Sequence, residues 1–250
     1  FFLNGGHNLP FPGEEDVSIP SPKGIPFEQV PELSLPQVAD QVLKRLELDY
    51  DLIVANFAYG DVIGHTASQN AKLLCPGAVD AQLARVVEAA IVSNYVTIIT
   101  ADHGNLETLW NVDGTPHVSH TANPVAFILV DPLIKTPLHL CDGILADIAP
   151  TILSALGLEQ PAGMEGKSLV SGYDWGGKRS VLLVILDGWG LGARDDSNPI
   201  HLAPTPCWDG LLLRYPSCQL QASGEAVGLQ AGKAGNSEAG HLNIGAGRVV

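Results

Sequence analysis

Four places in the 250-residue chain set carboxylates and imidazoles close together, and three of them follow apolar runs. Asp102 and His103 are adjacent, directly after Tyr95-Val96-Thr97-Ile98-Ile99-Thr100. Asp61 and His65 are four apart, just beyond Asp51-Leu52-Ile53-Val54-Ala55-Asn56-Phe57. Asp187 ends Val181-Leu182-Leu183-Val184-Ile185-Leu186, and His117 and His120 are three apart in a polar stretch. Asp and neutral His together are ligands for Mn²⁺ or Zn²⁺ rather than Ca²⁺. Each group alone has a plainer reading. Asp61 could cap a helix beside a surface histidine, His117 and His120 could be a solvated pair, and Asp187 could be a turn residue. Acids and imidazoles at so many strand ends in one domain point to a shared site, and two cations would need about six or seven protein ligands.

A nucleophile is offered by Ser237, in Gly235-Asn236-Ser237-Glu238-Ala239-Gly240-His241. A serine in the first turn of a helix after a Gly-rich loop faces backbone N–H groups, which favour a phosphate. A metal on its hydroxyl would lower the pKa and free an attacking oxygen. The plain alternative is that Ser237 only caps the helix. His241 lacks triad spacing to a serine and an acid, and is read as structural.

The elements that must carry these groups alternate. A helix is expected over residues 35–48, where Leu35, Val38, Val42 and Leu46 recur at helical spacing. A strand follows over 51–57, then a helical region over 66–93 that Cys75-Pro76-Gly77 should interrupt or kink. Strands are expected over 96–100 and 125–130. Ile144, Ile148, Ile152 and Leu156 mark a further helix, weakened at Pro150 and capped by Gly157. After a linker over 171–179, read as mobile and remote from the acids, come a strand over 181–186, a helix near 206–213, a short strand at 218–222 and a final helix after Gly232. Residues 1–30, rich in Pro and Gly, read as loops with short strands. Strands alternating with helices give an α/β fold, a three-layer α/β/α sandwich about a mainly parallel sheet, in one domain spanning 1–250.

A formal net charge of −14 opposes nucleic acid or an anionic membrane as partner. Two divalent cations would cancel part of it locally. Cys75, Cys141, Cys207 and Cys218 show no CxxC spacing and read as buried free thiols in a reducing, cytoplasmic setting. No apolar run reaches the length of a membrane span and no signal peptide is visible. Met164 is the single methionine, so Phe1 is read as the start of a processed, excised or built chain.

The segments Asn56-Phe57-Ala58-Tyr59-Gly60-Asp61-Val62-Ile63-Gly64-His65-Thr66, Thr100-Ala101-Asp102-His103-Gly104-Asn105, Pro116-His117-Val118-Ser119-His120-Thr121, Leu186-Asp187-Gly188-Trp189-Gly190 and the Ser237 motif resemble those of cofactor-independent phosphoglycerate mutases, of the alkaline phosphatase superfamily. The likeness covers nearly the whole chain. It implies one Mn²⁺ held by Asp61, His65 and His120, and a second held by Asp187, Ser237, Asp102 and His103, with Ser237 becoming phosphoserine. His117 is not a ligand in that pattern. It further implies a small phosphorylated, phosphoglycerate-like substrate. The order of segments differs from the family: there the Asp187 and Ser237 segments come first, a phosphotransferase domain follows, and the Phe1 segment comes last. The chain therefore resembles a circularly permuted phosphatase domain, with 1–170 and 180–250 exchanged and joined by 171–179. The phosphotransferase domain, which supplies most of the family's substrate-gripping arginines and a histidine, is absent, as is a lysine upstream of the Phe1 segment. Asp16 stands where a basic residue is expected. The reading is a metal-dependent phosphoserine enzyme acting as a weak phosphatase, against full mutase activity with the missing domain in trans, or an inactive metal-binding scaffold.

Overall fold

Six strands form one sheet in the order β1-β5-β2-β3-β6-β4, where β1 is Leu52–Phe57, β2 Val96–Thr100, β3 Val125–Val130, β4 Gly143–Ile144, β5 Val181–Leu186 and β6 Ser217–Gln221. The structure is a computed structural model describing residues 1–30, 32–133, 138–170 and 172–250. Strand β3 is antiparallel to both its neighbours, and the other pairings are parallel. Strands β2, β3 and β5 are buried along their whole length, as near-continuous Val, Ile and Leu runs covered on both faces must be. Strand β1 lies at the edge and alternates, with Ile53, Ala55 and Phe57 buried and Leu52, Val54 and Asn56 exposed.

Helix α1 (Leu35–Leu46) packs with its Leu35, Ala39, Val42 and Leu46 stripe against β1 and against α3 (Gln69–Val92). A short helix, α2 (Tyr59–Gly64), lies between β1 and α3. Helix α4 (Ile148–Leu156) packs against β5 and against the last helix, α7 (Ser237–Ala246). Helices α5 (Pro199–Leu202) and α6 (Pro206–Arg214) both lean on α3.

Two expected weak points in helices are absent. Helix α3 runs through Pro76 without a break, because Cys75, Pro76, Val79 and Leu83 are buried together and hold that turn in place of the missing N–H. Pro150 sits in the first turn of α4, where no backbone donor is needed. Ile144 belongs to β4 rather than to that helix, and Gly157 ends it at φ 67° as a left-handed cap. Residues 1–30 hold two 3₁₀ turns, Phe2–Asn4 and Phe27–Gln29, in place of short strands.

The 172–179 stretch enters the sheet at the start of β5, the edge opposite Asp187. It is held there rather than loose. Trp175 is buried and its Nε1 donates to Ser154 Oγ at 3.0 Å. The Tyr173 hydroxyl donates to Asp131 Oδ2 at 2.9 Å, and Arg179 pairs with Asp131 Oδ1 at 2.9 Å. Cys75 and Cys218 are buried free thiols as expected, whereas Cys207 is half-buried and Cys141 exposed.

Candidate metal centre

Strands β1, β5 and β2 lie side by side in parallel register, Phe57 opposite Leu186 and Thr100 opposite Ile185. Their C-terminal ends therefore open at one place, and each hands over an acid: Asp61 on α2, Asp187 directly after β5, and Asp102 after β2. This is the edge where ligands bind in α/β sheets. Two glycines allow the approach. A side chain on Gly188, at φ 73°, would lie 2.8 Å from Asp61 Cα, and one on Gly240 would lie 2.5 Å from the Asp102 carbonyl oxygen.

All seven expected residues meet here. Asp61 Oδ1 lies 3.3 Å from His65 Nε2 and 3.2 Å from His120 Nε2. It is 3.9 Å from His103 Nε2, which in turn lies 3.4 Å from Asp187 Oδ1 and 3.5 Å from Asp102 Oδ2. Ser237 Oγ is 3.0 Å from His103 Nε2 and donates to Asp187 Oδ1 at 3.3 Å. The plain readings give way in turn. Ala58, not Asp61, occupies the N-cap of α2, and Asn236 caps α7 by accepting from Ala239 N at 2.9 Å, which leaves the Ser237 hydroxyl free for the centre. Asp187 does begin a turn at Gly188, yet its carboxylate is turned inward and accepts from Asn56 at 2.9 Å. His117 points elsewhere, to Asn111 Oδ1 at 2.8 Å.

The donor set fits divalent cations. His65, His103 and His120 each aim Nδ1 at a backbone carbonyl, of Val118 at 3.0 Å, Gly104 at 3.2 Å and Gly235 at 2.9 Å. An Nδ1–H donor turns the Nε2 lone pair inward, the arrangement of a metal-ligating imidazole. His65 Nε2 and His120 Nε2 then face each other at 3.0 Å, a contact between lone pairs that a cation would resolve. Asp102 Oδ2 is fully buried and without a hydrogen bond: His241 Nδ1 is 3.1 Å away but is aimed at the Ser237 carbonyl, 2.9 Å off. A buried carboxylate oxygen with only an off-axis imidazole beside it is suited to a cation. Among the described residues, ligand atoms fall within 4.8 Å of one another in the sets Asp61–His65–His120, Asp61–His103–Asp187 and Asp102–Asp187–His241.

Charge confirms the crowding. Burial opposes a charge on His103, but the Asp187 hydrogen bond and the charges of Asp102, Asp187 and Asp61 push its pKa to about 9. Asp61 is lowered to about 2, since His120, Asn105, His103 and His65 outweigh its burial. Burial and the charge of Asp102 raise Asp187.

Three supporting residues were given no role from the sequence, although Asn105 lies within the Thr100–Asn105 motif. Asn105 Nδ2 donates to Asp61 Oδ1 at 2.7 Å. Glu107 is buried and accepts from Asn105 N at 2.8 Å, Gly190 N at 3.1 Å, Asn123 Nδ2 at 2.9 Å and the Thr121 hydroxyl, which ties three site loops together. Lys72, on α3, is buried and donates to the His117 carbonyl. A charged residue reads as surface until its surroundings are known.

A family profile described as the metalloenzyme superfamily matches residues 1–160 and 179–248. The chain belongs to the metalloenzyme superfamily. Its fold is of the alkaline-phosphatase type. Similar proteins include the 2,3-bisphosphoglycerate-independent phosphoglycerate mutase of Syntrophotalea carbinolica, 48% identical over 172 residues, which are 68% of this chain and 33% of that protein. That of Moorella thermoacetica is 46% identical over 170 residues, 68% of this chain and 33% of that protein. A crystal structure of Leishmania mexicana phosphoglycerate mutase at low cobalt concentration matches with TM-score 0.52 and 27% identity, over 60% of this chain and 30% of that one. The matched part spans about a third of these relatives' length. Among the described residues no helix is long and apolar enough to cross a membrane.

Proposed function

We propose that this superfamily member is a two-metal phosphoryl-transfer domain of the phosphoglycerate mutase type, with Ser237 as nucleophile. The observation that carries this reading is the free Ser237 hydroxyl, 3.0 Å from His103 and 3.3 Å from Asp187, at the first turn of α7. Asp61, His65 and His120 would hold one cation, and Asp102, His103, Asp187 and Ser237 the other, with Mn²⁺ suiting this mixture of oxygen and imidazole ligands. Bound there, two cations would supply charge neutralisation at the phosphoryl group and a lowered pKa at the serine hydroxyl. The N-terminal N–H groups of α7 receive the phosphoryl oxygens of a small phosphomonoester. Ser237 Oγ forms a bond to phosphorus as the bond to the ester oxygen breaks, the hydroxyl proton passing to Asp187 Oδ1, to which it donates at 3.3 Å, while the leaving oxygen takes a proton from water. Water then cleaves phosphoserine, returning Ser237 and releasing phosphate.

A second reading is favoured by length. The relatives are about three times longer than the part matched here, which fits a chain that completes mutase activity only beside a phosphotransferase domain. The profile match is broken over 161–178, the region in which the proposed join at 171–179 falls. Free thiols suit a cytoplasmic setting.

Phosphatase assays with and without Mn²⁺, alone and with a relative's phosphotransferase domain added, separate these readings. Hydrolysis by the chain alone supports the first, and interconversion of 2- and 3-phosphoglycerate only on addition supports the second. A metal-replete chain with neither activity, and no phosphoryl mass on Ser237 after exposure to substrate, leaves a metal-binding scaffold.

A further inference from the structure

Lys72 is an ammonium buried to 2% exposure at the end of the first turn of α3, and nothing in the proposed chemistry uses it. Its Nζ donates to the carbonyl of His117. One residue on, the Val118 carbonyl receives His65 Nδ1 at 3.0 Å, and three residues on, His120 faces Asp61 at 3.2 Å. The other end of the same segment is held by a buried charge of opposite sign: Glu107 accepts from the Thr121 hydroxyl and from Asn123 at 2.9 Å. The backbone adds one bond at each end, His117 N to Leu109 O and Thr121 N to Gly104 O, both 2.9 Å.

We propose that Lys72 and Glu107 form a charged clamp on residues 117–121 that sets the geometry of the half-exposed Asp61–His65–His120 site. Lys72 fixes the position of the Val118 carbonyl, and through it the ring orientation and tautomer of His65. Glu107 fixes Thr121, and through it His120. Both are positioning residues, neither touching a cation. The clamp explains why a lysine is kept out of water beside a backbone carbonyl, where an apolar side chain would pack at lower cost. Of its two members, Lys72 reaches only the segment that carries His117, whereas Glu107 also accepts from Asn105 N at 2.8 Å and Gly190 N at 3.1 Å beside the other site, so Lys72 is the member that tells the two sites apart. Asp102, His103, Asp187 and Ser237 follow strand ends and the start of α7, and the Lys72 hydrogen bond goes to His117 rather than to any of them.

This inference rests on the two-metal reading, and the test separates their failures. Mn²⁺ binding to the full chain would be followed by calorimetry and by the electron paramagnetic resonance of bound Mn²⁺, for wild type, Lys72→Met and Lys72→Arg. The clamp predicts that Lys72→Met weakens the Asp61–His65–His120 site by about 10–100-fold and leaves the other site within about 2-fold. Lys72→Arg, which keeps a charged donor, restores part of the loss. The thermal midpoint of metal-free Lys72→Met should equal or exceed that of wild type, because a desolvated charge is removed; a merely structural lysine would lower stability and both affinities together. Should Lys72→Met not fold, Lys72→Gln carries the same comparison. Wild-type binding at both sites in Lys72→Met overturns the clamp alone. Failure of wild type itself to bind at the Asp61 site overturns the metal reading and the clamp with it.

Discussion

Ser237 is available for attack because Asn236, one residue earlier, takes over the capping of α7. Its oxygen is one ligand among several but the sole nucleophile of the proposed chemistry. Ser237→Ala should therefore reduce phosphatase turnover by more than about 10³-fold while retaining the fold and most metal affinity. Wild-type hydrolysis by the variant at saturating Mn²⁺ would remove the phosphoserine step. His103 gives a pH prediction. Its pKa of about 9 in the folded metal-free chain lies above the unfolded 6.5, so its proton stabilises the metal-free fold fully below pH 6.5 and ceases to do so as pH rises through 9. At pH 7 the incoming cation must displace that proton. Calorimetric Mn²⁺ titrations in buffers of different ionisation enthalpy should show about one proton released on filling this site at pH 7, falling away as pH rises past 9. Buffer-independent enthalpies at pH 7 would contradict the placement of His103. At this scale Asp61, Asp102 and Asp187 stood out as acids after apolar runs, whereas the choice of His120 over His117 and the full set of seven came from the family resemblance. Glu107 and Lys72 did not stand out, since burial of a charge depends on loops brought together from distant parts of the chain.

The elements do their work by ending together. Strands β1, β5 and β2 were each visible as β-branched runs closing on an acid. Their order was hidden, because β5 is inserted between two strands that lie earlier in the chain. Helix α3 was expected to fail at Pro76 and does not, since packing of the surrounding turn outweighs one missing hydrogen bond. The approach of α7 to β2 depends on Gly240, where a methyl group would meet the Asp102 carbonyl at 2.5 Å. Gly240→Ala should destabilise by about 1–3 kcal/mol by overpacking, although alanine favours a helix. It should weaken metal binding too, as Ser237 moves with α7 away from His103. Gly163→Ala, with nothing within 4 Å of the new carbon, is the control. Denaturant midpoints and Mn²⁺ titrations of both variants check this, and equal behaviour of the two would show that α7 has room to spare.

Across the whole molecule the centre joins segments from both ends of the sequence, and the two cation sites differ in exposure and charge. Asp102 and His103 are fully buried and Asp187 nearly so, whereas His65 is exposed and His120 half-buried. The buried site offers two carboxylates and the half-exposed site one, so the buried site should bind more tightly and yield its cation to a chelator last. Loading should also raise the thermal midpoint, because cations held only by the folded chain stabilise it by mass action. The most direct measurement is a Mn²⁺ titration of the chain with metal counted at saturation, repeated on Asp61→Asn and Asp102→Asn. The account predicts two cations per chain, the weaker lost with Asp61→Asn and the tighter with Asp102→Asn. A single cation, or both substitutions abolishing the same site, would contradict it.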